Sequence, residues 1–254
     1  MKKFYLIGLG LNPPKSISLQ AIEIMKKTKK IFLENYTNYV KTGTKNKIEK
    51  LINKKILSIS REELEDQNII LENLKKEDVV LLVLGDPLIA TTHGALVLAA
   101  KKIAKVEILS NQSILNYAIA LSGLQAYKFG KICTITYWRE NYRPTSFLEV
   151  IKNNMQIQAH SLCLLDLDKN FGPMNIKKAL EIIFRAQEEE QKKIIFPNTK
   201  IIILSKIGFK NQKIWAGEIS QLKKDISGPS VIIIPSKMHF LEEEYFEQLK
   251  KESN

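Results

Sequence analysis

The sequence predicts an α/β protein made of two α/β domains with mostly parallel sheets. Short apolar runs of strand length alternate with longer amphipathic stretches, an order that calls for parallel strands covered by helices. The clearest run is Val79–Leu84, whose six apolar residues fit a strand buried on both faces. The Gly85-Asp86-Pro87 turn that follows lies where open α/β sheets bind ligands, just beyond a strand's carboxyl end.

The first half of the chain contains four predicted strands and five predicted helices. Pro13-Pro14 prevents a helix from starting directly behind the first strand, and Ser60 with Glu63 has the spacing of a capping box. The strands are predicted at 4–7, 31–33, 79–84 and 106–109, and the helices at 18–27, 47–52, 60–74, 95–104 and 114–121.

The strand and helix pattern starts again in the second half. The connecting stretch 123–131 joins halves of similar size, which predicts domains at 1–128 and 129–254. The second domain is expected to have strands at 132–136, 161–165, 200–204 and 231–234, a hairpin at 213–218, and helices at 146–158, 175–190 and ending near 251.

Composition places the chain among soluble globular proteins. Of its 254 residues 44% are hydrophobic and 26% are charged, and no apolar run has the length of a signal-peptide core or membrane span. We therefore expect a cytoplasmic protein with no membrane partner. Cys133 and Cys163 lie in strand-like runs without zinc-site spacing, so they are predicted to be buried thiols.

The net charge of +12 raises the possibility of nucleic-acid binding. Only four of the 39 basic residues are arginines, however, and the lysines are spread in short pairs along the whole chain. This distribution favours a solvated surface that can steer a large acidic partner, and no stable nucleic-acid partner is expected.

The familiar catalytic motifs are missing from the sequence. It has no G-x-S-x-G elbow, Walker loop or H-E-x-x-H, and Gly8-Leu9-Gly10 lacks the third glycine of a dinucleotide loop. A glycine loop without a helix behind it suits a ligand that is not held by phosphate. Methyl transfer from a sulfonium donor fits this pattern, because it depends on positioning and electrostatics more than on acid–base groups.

Several polar residues have two interpretations. Asp86 either contacts a ligand or caps the helix that follows, and His239 is either a site residue or a surface histidine. His93 and His160 are interpreted as structural. Asp166 and Asp168 lack a third carboxylate in sequence, so no metal site is predicted.

Specific strings spread over nearly the whole chain resemble the diphthine synthase family of tetrapyrrole-methylase-like methyltransferases. They are Gly8-Leu9-Gly10-Leu11, Glu34-x-Tyr36-Thr37, Gly85-Asp86-Pro87-Leu88-Ile89-Ala90-Thr91-Thr92-His93, Ser113-Ile114, Gly123-Leu124-Gln125-x-Tyr127-Lys128-Phe129-Gly130-Lys131 and His239 before Glu242-x-Glu244-Tyr245. The resemblance implies a homodimer with S-adenosylmethionine bound in a cleft between two α/β domains and S-adenosylhomocysteine as product. It also implies methylation of the amino group of a 3-amino-3-carboxypropyl-histidine on translation elongation factor 2, in diphthamide biosynthesis.

The resemblance also implies which residues form the site. From their position past a strand end, and not from the resemblance, Glu34 and Tyr36 are candidates for orienting or deprotonating the substrate amine. The sequence departs from the family pattern at Ser205-Lys206-Ile207-Gly208 and at Ser236. The residues implied to bind the cofactor are Leu11, Asp86, Ile89, Ser113, Ile114, Leu165, Ile207 and His239.

Two other functions are compatible with parts of the sequence. One is a related methyltransferase of the same fold that acts on a tetrapyrrole or on ribosomal RNA. The other is a non-enzymatic basic RNA-binding module, for which aromatic residues interleaved with basic ones are found only weakly, in the stretch 137–143.

Overall fold

The computed structural model describes residues 1–34, 43–168 and 170–253. The chain separates into two units, Met1–Ile114 and Leu115–Asn254. The boundary expected from the sequence, between residues 128 and 129, lies further along the chain and stays a prediction. The candidate residue Tyr36 lies outside the described residues.

The first unit alternates strands and helices, as its sequence pattern predicts. Its elements are β1 (Lys3–Gly8), α1 (Leu19–Lys27), β2 (Lys30–Glu34), α2 (Thr44–Ile52), β3 (Leu57–Ile59), α3 (Arg61–Glu65), α4 (Asn68–Leu74), β4 (Val79–Val83), α5 (Gly94–Lys101) and β5 (Lys105–Leu109).

The first sheet has the order β3-β2-β4-β1-β5, and each pairing among its described strands is parallel. Strand β4 lies at its centre, and all five of its residues are fully buried. Val80 and Leu82 pack into one apolar cluster, whereas Val79, Leu81 and Val83 pack into another. Because successive side chains point to opposite faces, this strand is buried on both sides, as predicted.

Strands β1 and β4 form the switch point of this sheet. From β1 the chain passes through α1 to β2 on one side, and from β4 it passes through α5 to β5 on the other. The helices that follow these strands cover opposite faces of the sheet, α1 with the cluster that contains Val80 and α5 with the cluster that contains Val79. Both glycine-containing loops singled out in the sequence lie at the carboxyl ends of these two strands, where open α/β sheets bind ligands.

The second unit begins within α6 (Ile114–Ser122), whose first residue closes the first unit. Its other elements are a 3₁₀ turn (Ala126–Lys128), β6 (Cys133–Ile135), α7 (Ser146–Gln156), β7 (Ser161–Leu165), β8 (Leu167–Asp168), β9 (Gly172–Pro173), α8 (Ile176–Glu189), β10 (Lys200–Ser205), β11 (Lys213–Glu218), a second 3₁₀ turn (Ile219–Gln221), β12 (Ser230–Ile234) and α9 (Phe240–Ser253).

The second sheet corrects one part of the predicted fold. Its order is β11-β10-β12-β7-β6, and only the β6–β7 pair is parallel. A parallel pair needs a long crossover, which α7 provides between β6 and β7, whereas β10 and β11 are joined by a short turn. The expectation of a mostly parallel sheet holds in the first unit and is wrong in the second.

The helix predicted at 60–74 is divided in two. Ser60 and Glu63 form the expected capping box at the start of α3. Gln67 then adopts a left-handed backbone with φ 60°, which ends α3 and lets α4 begin at Asn68.

Two other expectations concern the core and the membrane. Cys133 and Cys163 are buried free thiols on the paired strands β6 and β7, which confirms their structural interpretation. A hydrogen bond with Cys133 and then burial raise the pKa of the Cys163 thiol. Within the described ranges, no helix combines the length and apolarity needed to span a membrane.

Candidate functional site

Two glycine loops meet at the carboxyl edge of the first sheet. Gly10 and Gly85 exchange backbone hydrogen bonds of 3.1 and 3.0 Å, which join the loop after β1 to the loop after β4. At Gly8 an added Cβ would lie 2.6 Å from the Gly85 carbonyl oxygen, so only glycine permits this approach. The sequence placed both loops at strand ends, and the structure brings them into direct contact.

Asp86 acts as an acceptor for the backbone of two loops. Its Oδ1 accepts hydrogen bonds from the amides of Leu88 (2.9 Å) and Ile89 (3.1 Å), and its Oδ2 accepts one from Asn111 (3.1 Å). The side chain is buried, which strengthens these contacts. Asp86 thus caps the turn at Leu88 and Ile89 and not the helix that follows, which begins only at Gly94, and its ligand contact stays a prediction.

Asn111 was not singled out by the sequence analysis, yet it ties the same edge together. Its carboxamide nitrogen donates to the carbonyl oxygens of Gly8 and Ser16, both at 2.9 Å. Asn111 follows β5, the strand beside β1, so its backbone and side chain link the loops after β1, β4 and β5. The sequence signal that could have identified Asn111 is its position, as a polar residue just past the end of a strand.

The other candidate residues of the first unit surround these loops. Ile89 exposes 45% of its surface, while Leu11 and Ser113 are buried. Ile114 starts α6 and is half-buried. Ile89 therefore presents an apolar side chain to solvent directly beside a buried carboxylate.

Glu34 and His93 form a buried pair at this edge. Glu34 ends β2, and its Oε2 lies 2.9 Å from His93 Nε2, with both side chains almost fully buried. His93 Nδ1 lies 2.8 Å from the Pro87 carbonyl oxygen, an acceptor to which the ring must donate. His93 thereby links the candidate catalytic carboxylate to the Gly-Asp-Pro loop.

The pKa of His93 reflects opposing effects. Burial disfavours the charged ring and is the largest single effect. The hydrogen bond with Glu34, the charge of Glu34 and the Pro87 carbonyl together outweigh burial and raise the pKa above its ordinary value. His93 thus has a structural role, as the hydrogen-bond partner of a buried carboxyl group.

In the second unit the implied cofactor residues follow strand ends. Leu165 ends β7 and Ile207 follows β10, and both are buried. Ile207 lies between two left-handed residues, Lys206 (φ 54°) and Gly208 (φ 84°), in a turn held by the bond from the Lys206 amide to the Pro229 carbonyl (2.8 Å). The departure from the family pattern at 205–208 is thus an ordered turn.

His239 precedes α9 and is exposed. Its ring packs against the Phe240 ring with centroids 4.3 Å apart, and its backbone amide donates to Glu242 Oε2 at 2.7 Å. The side chain is therefore accessible while its backbone is fixed from within the unit.

Asp166 and Asp168 accept hydrogen bonds from nearby backbone amides. Asp166 accepts a hydrogen bond from the Tyr137 amide at 3.0 Å. Asp168 accepts bonds from the amides of Asn170 and Phe171 and pairs with Arg139. Among the residues that the structure describes, no group of three or more His, Cys, Asp or Glu side chains is arranged to hold a metal ion.

The chain is similar, over most of its length, to a known protein family and to named relatives. Residues 3–223 match the family model "Tetrapyrrole (Corrin/Porphyrin) Methylases". The chain is 35% identical to the diphthine synthase of Methanococcus vannielii, over 93% of this chain and 94% of that protein. It is also 35% identical to the diphthine methyl ester synthase of Schizosaccharomyces pombe, over 95% of this chain and 92% of that protein.

A solved structure shows the same fold. A crystal structure from Entamoeba histolytica, provisionally named a diphthine synthase, superposes with a TM-score of 0.88 at 30% identity and covers 98% of both chains. Sequence and fold similarity thus both extend over nearly the whole length. The chain belongs to the tetrapyrrole methylase family and, within it, to the diphthine synthases.

Proposed function

We propose that this protein uses S-adenosylmethionine to methylate the amino group of the 3-amino-3-carboxypropyl-histidine on translation elongation factor 2, in diphthamide biosynthesis. The protein is a methyltransferase by family, so the alternative of a non-enzymatic RNA-binding module is set aside. The named relatives act in diphthine synthesis, which favours this acceptor over a tetrapyrrole or ribosomal RNA.

The cofactor proposal rests on Asp86, whose carboxylate can accept one more hydrogen bond than the backbone amides donate to it. An ionised carboxylate has about four lone-pair sites. The amides of Leu88, Ile89 and Asn111 take three contacts, two at Oδ1 and one at Oδ2. Oδ2 therefore retains capacity for one donor of a ligand, such as a ribose hydroxyl or an amine.

The surrounding residues suit the remaining parts of this cofactor. Ile89 offers exposed apolar surface next to Asp86, and the loops at Gly10 and Gly85 bring polar backbone close without side chains. When bound, S-adenosylmethionine supplies a methyl group attached to a positively charged sulfur. This sulfur is a good leaving group, so the transfer needs no acid catalyst. The protein's task is then to position the acceptor amine and keep it unprotonated.

Glu34 is our candidate for the second task, together with Tyr36. An amino group of this kind is largely protonated at neutral pH, so it must lose a proton before it can attack the methyl group. A carboxylate near it favours orientation of the amine and can receive its proton. The hydrogen bond with His93 fixes the position of the Glu34 carboxyl group, as such a role needs.

The test is calorimetric titration with S-adenosylmethionine, followed by mass spectrometry of elongation factor 2 that carries the modified histidine. We expect one site per subunit, and N-methyl groups that resist mild base, whereas a methyl ester would be hydrolysed. Absence of binding, or transfer of the methyl group to a tetrapyrrole or RNA instead, would contradict the proposal.

We further propose that the protein is a cytoplasmic homodimer. Support comes from the family resemblance and from exposed apolar side chains such as Leu98 on α5, which a second copy can cover. Light scattering of the purified protein should give twice the chain mass of 29.1 kDa, and a monomer at micromolar concentration would refute it.

A further inference from the structure

A buried polar cluster in the second unit does not belong to the residues assigned above. It consists of Lys128 in the first 3₁₀ turn, His160 before β7 and Glu242 in the first turn of α9. His160 and Glu242 are 0% and 1% exposed, and Lys128 is 22% exposed. Buried charges at this depth are costly unless they are paired and hydrogen-bonded.

Glu242 is saturated with donors. Its Oε1 accepts hydrogen bonds from the Gln125 amide (2.8 Å) and His160 Nε2 (3.1 Å). Its Oε2 accepts bonds from Lys128 Nζ and the His239 amide (2.7 Å). Although burial alone would raise its pKa, these donors lower the pKa of Glu242 to about 2.

His160 has a defined tautomer in this cluster. Its Nδ1 accepts a hydrogen bond from the Ser236 amide at 3.0 Å, so the ring proton lies on Nε2 and is donated to Glu242. Burial is the main cause that lowers the pKa of His160, in keeping with a neutral ring. Lys128 Nζ also donates to the Lys237 carbonyl oxygen at 2.8 Å.

The three side chains therefore act on one short segment, residues 236–239. His160 holds the Ser236 amide, Lys128 holds the Lys237 carbonyl and Glu242 holds the His239 amide. Each contact is made with the backbone, so the cluster determines the path of the segment. The exposed side chain of His239 depends on that path for its direction.

We infer that Lys128, His160 and Glu242 are positioning residues that fix the segment 236–239 and thereby hold His239 in the conformation that binds the cofactor. The inference rests on the proposed function and on the expectation, from the family resemblance, that His239 contacts S-adenosylmethionine. A preorganised contact residue loses no conformational freedom on binding, so loosening the segment lowers affinity for the cofactor.

The first experiment compares Glu242→Gln with Glu244→Gln in the full-length protein. Glutamine replaces one acceptor oxygen by an NH₂ group that faces two donors, whereas Glu244 is exposed on the same helix turn and serves as the matched control. We expect Glu242→Gln to raise the Kd and KM for S-adenosylmethionine about tenfold while kcat at saturation changes less than about twofold.

Hydrogen exchange of the Ser236 amide gives a readout that is independent of the cofactor. Its acceptor, His160 Nδ1, is retained in Glu242→Gln, so faster exchange reports loosening of the whole segment. We expect exchange at least about tenfold faster than in Glu244→Gln. If Glu242→Gln does not fold, Lys128→Met, which removes the contacts with Glu242 and Lys237 from a partly exposed position, replaces it.

Two substitutions of His160 separate positioning from general stability. The amide of His160→Asn lies near the position of Nδ1 and keeps an acceptor for Ser236, whereas that of His160→Gln lies near Nε2 and keeps the donor to Glu242. If the path of the segment decides affinity, His160→Asn binds the cofactor more tightly than His160→Gln even at equal thermal stability.

The possible results distinguish this inference from the proposed function. If the wild-type protein binds no S-adenosylmethionine, the proposed function fails and takes the cofactor role of the cluster with it. If the wild type binds and Glu242→Gln matches Glu244→Gln in affinity and in Ser236 exchange, only the inference is overturned.

Discussion

Asp86 shows how one side chain can serve both the fold and the proposed site. Its carboxylate connects the turn after β4 to Asn111 in the loop after β5. These contacts explain an aspartate here without any ligand, and within the described part of the chain they occupy three of the about four acceptor positions of the carboxylate. The turn-capping role of Asp86 and a ligand contact are therefore compatible.

We predict that Asp86→Ala weakens binding of S-adenosylmethionine about tenfold or more and lowers the free energy of unfolding by about 1–3 kcal/mol. Three backbone amides lose their acceptor, and the ligand loses one. Calorimetry and thermal denaturation measure the two effects, with Asp66→Ala, an exposed aspartate of the same unit, as the control. Unchanged affinity would exclude Asp86 from the cofactor site.

We predict that Glu34→Gln slows methyl transfer at least about tenfold while affinity for S-adenosylmethionine is retained. The substitution removes the charge that can receive the amine proton and keeps the side-chain shape. Single-turnover rates measure the effect, and Glu23→Gln on the exposed face of α1 is the control. A full rate in Glu34→Gln would end the proposed role.

The two buried histidines, His93 and His160, should titrate in distinct ranges. The pairing of His93 with Glu34 outweighs the effect of burial and raises the pKa of His93, whereas burial dominates at His160 and lowers its pKa. We therefore expect His93 to titrate above 6.5 and His160 below 6.5 in an NMR titration of the imidazole resonances. Reversed order would contradict the described hydrogen bonds.

At the scale of elements, the loop after β1 depends on close contact with the loop after β4. The bridge between Gly10 and Gly85 leaves no space for a side chain at Gly8, where an added Cβ meets the Gly85 oxygen and Asn111. The neighbouring atoms are a backbone oxygen and atoms of the short Asn111 and Pro87 side chains, so they cannot move away easily.

We predict that Gly8→Ala lowers the free energy of unfolding by about 1–3 kcal/mol through overpacking. It should also weaken cofactor binding, because the two loops must separate. Gly94→Ala is the matched control, since an added Cβ at this first residue of α5 meets nothing within 4 Å and helix propensity improves. Equal thermal midpoints for the two variants would show that the loops can adjust.

At the scale of the whole molecule, the stability should depend on pH through Glu242. The folded pKa of Glu242 is about 2 against an ordinary value of 4.5, so its interactions stabilise the fold above pH 4.5. This contribution is lost as the pH falls from 4.5 towards 2. The net charge of +12 increases over the same range as other carboxylates are protonated, which adds self-repulsion.

We predict that near pH 6 the free energy of unfolding of the wild type exceeds that of Glu242→Gln by about 3 kcal/mol. This difference should decrease towards about pH 3. Urea denaturation at several pH values measures it. A difference that stays constant with pH would show that Glu242 carries no special charge stabilisation in the fold.

The sequence by itself determined most elements of the first unit, though not β3 or the division between α3 and α4, and it determined the burial of β4 on both faces and the family. These properties are local, because apolar runs, capping residues and turn residues report burial and chain direction within a few positions. The string from Gly85 to His93 was specific enough to indicate the methyltransferase before any contact was known.

Only the tertiary structure decided the direction of the strands in the second sheet and the partners of the buried polar groups. Strand pairing depends on which distant segment lies alongside, as with β10, β12 and β7. Glu242 meets His160 and Lys128 across 82 and 114 positions of sequence. A local pattern contains no information on such partners, since hydrogen bonds between distant residues form only once the chain is folded.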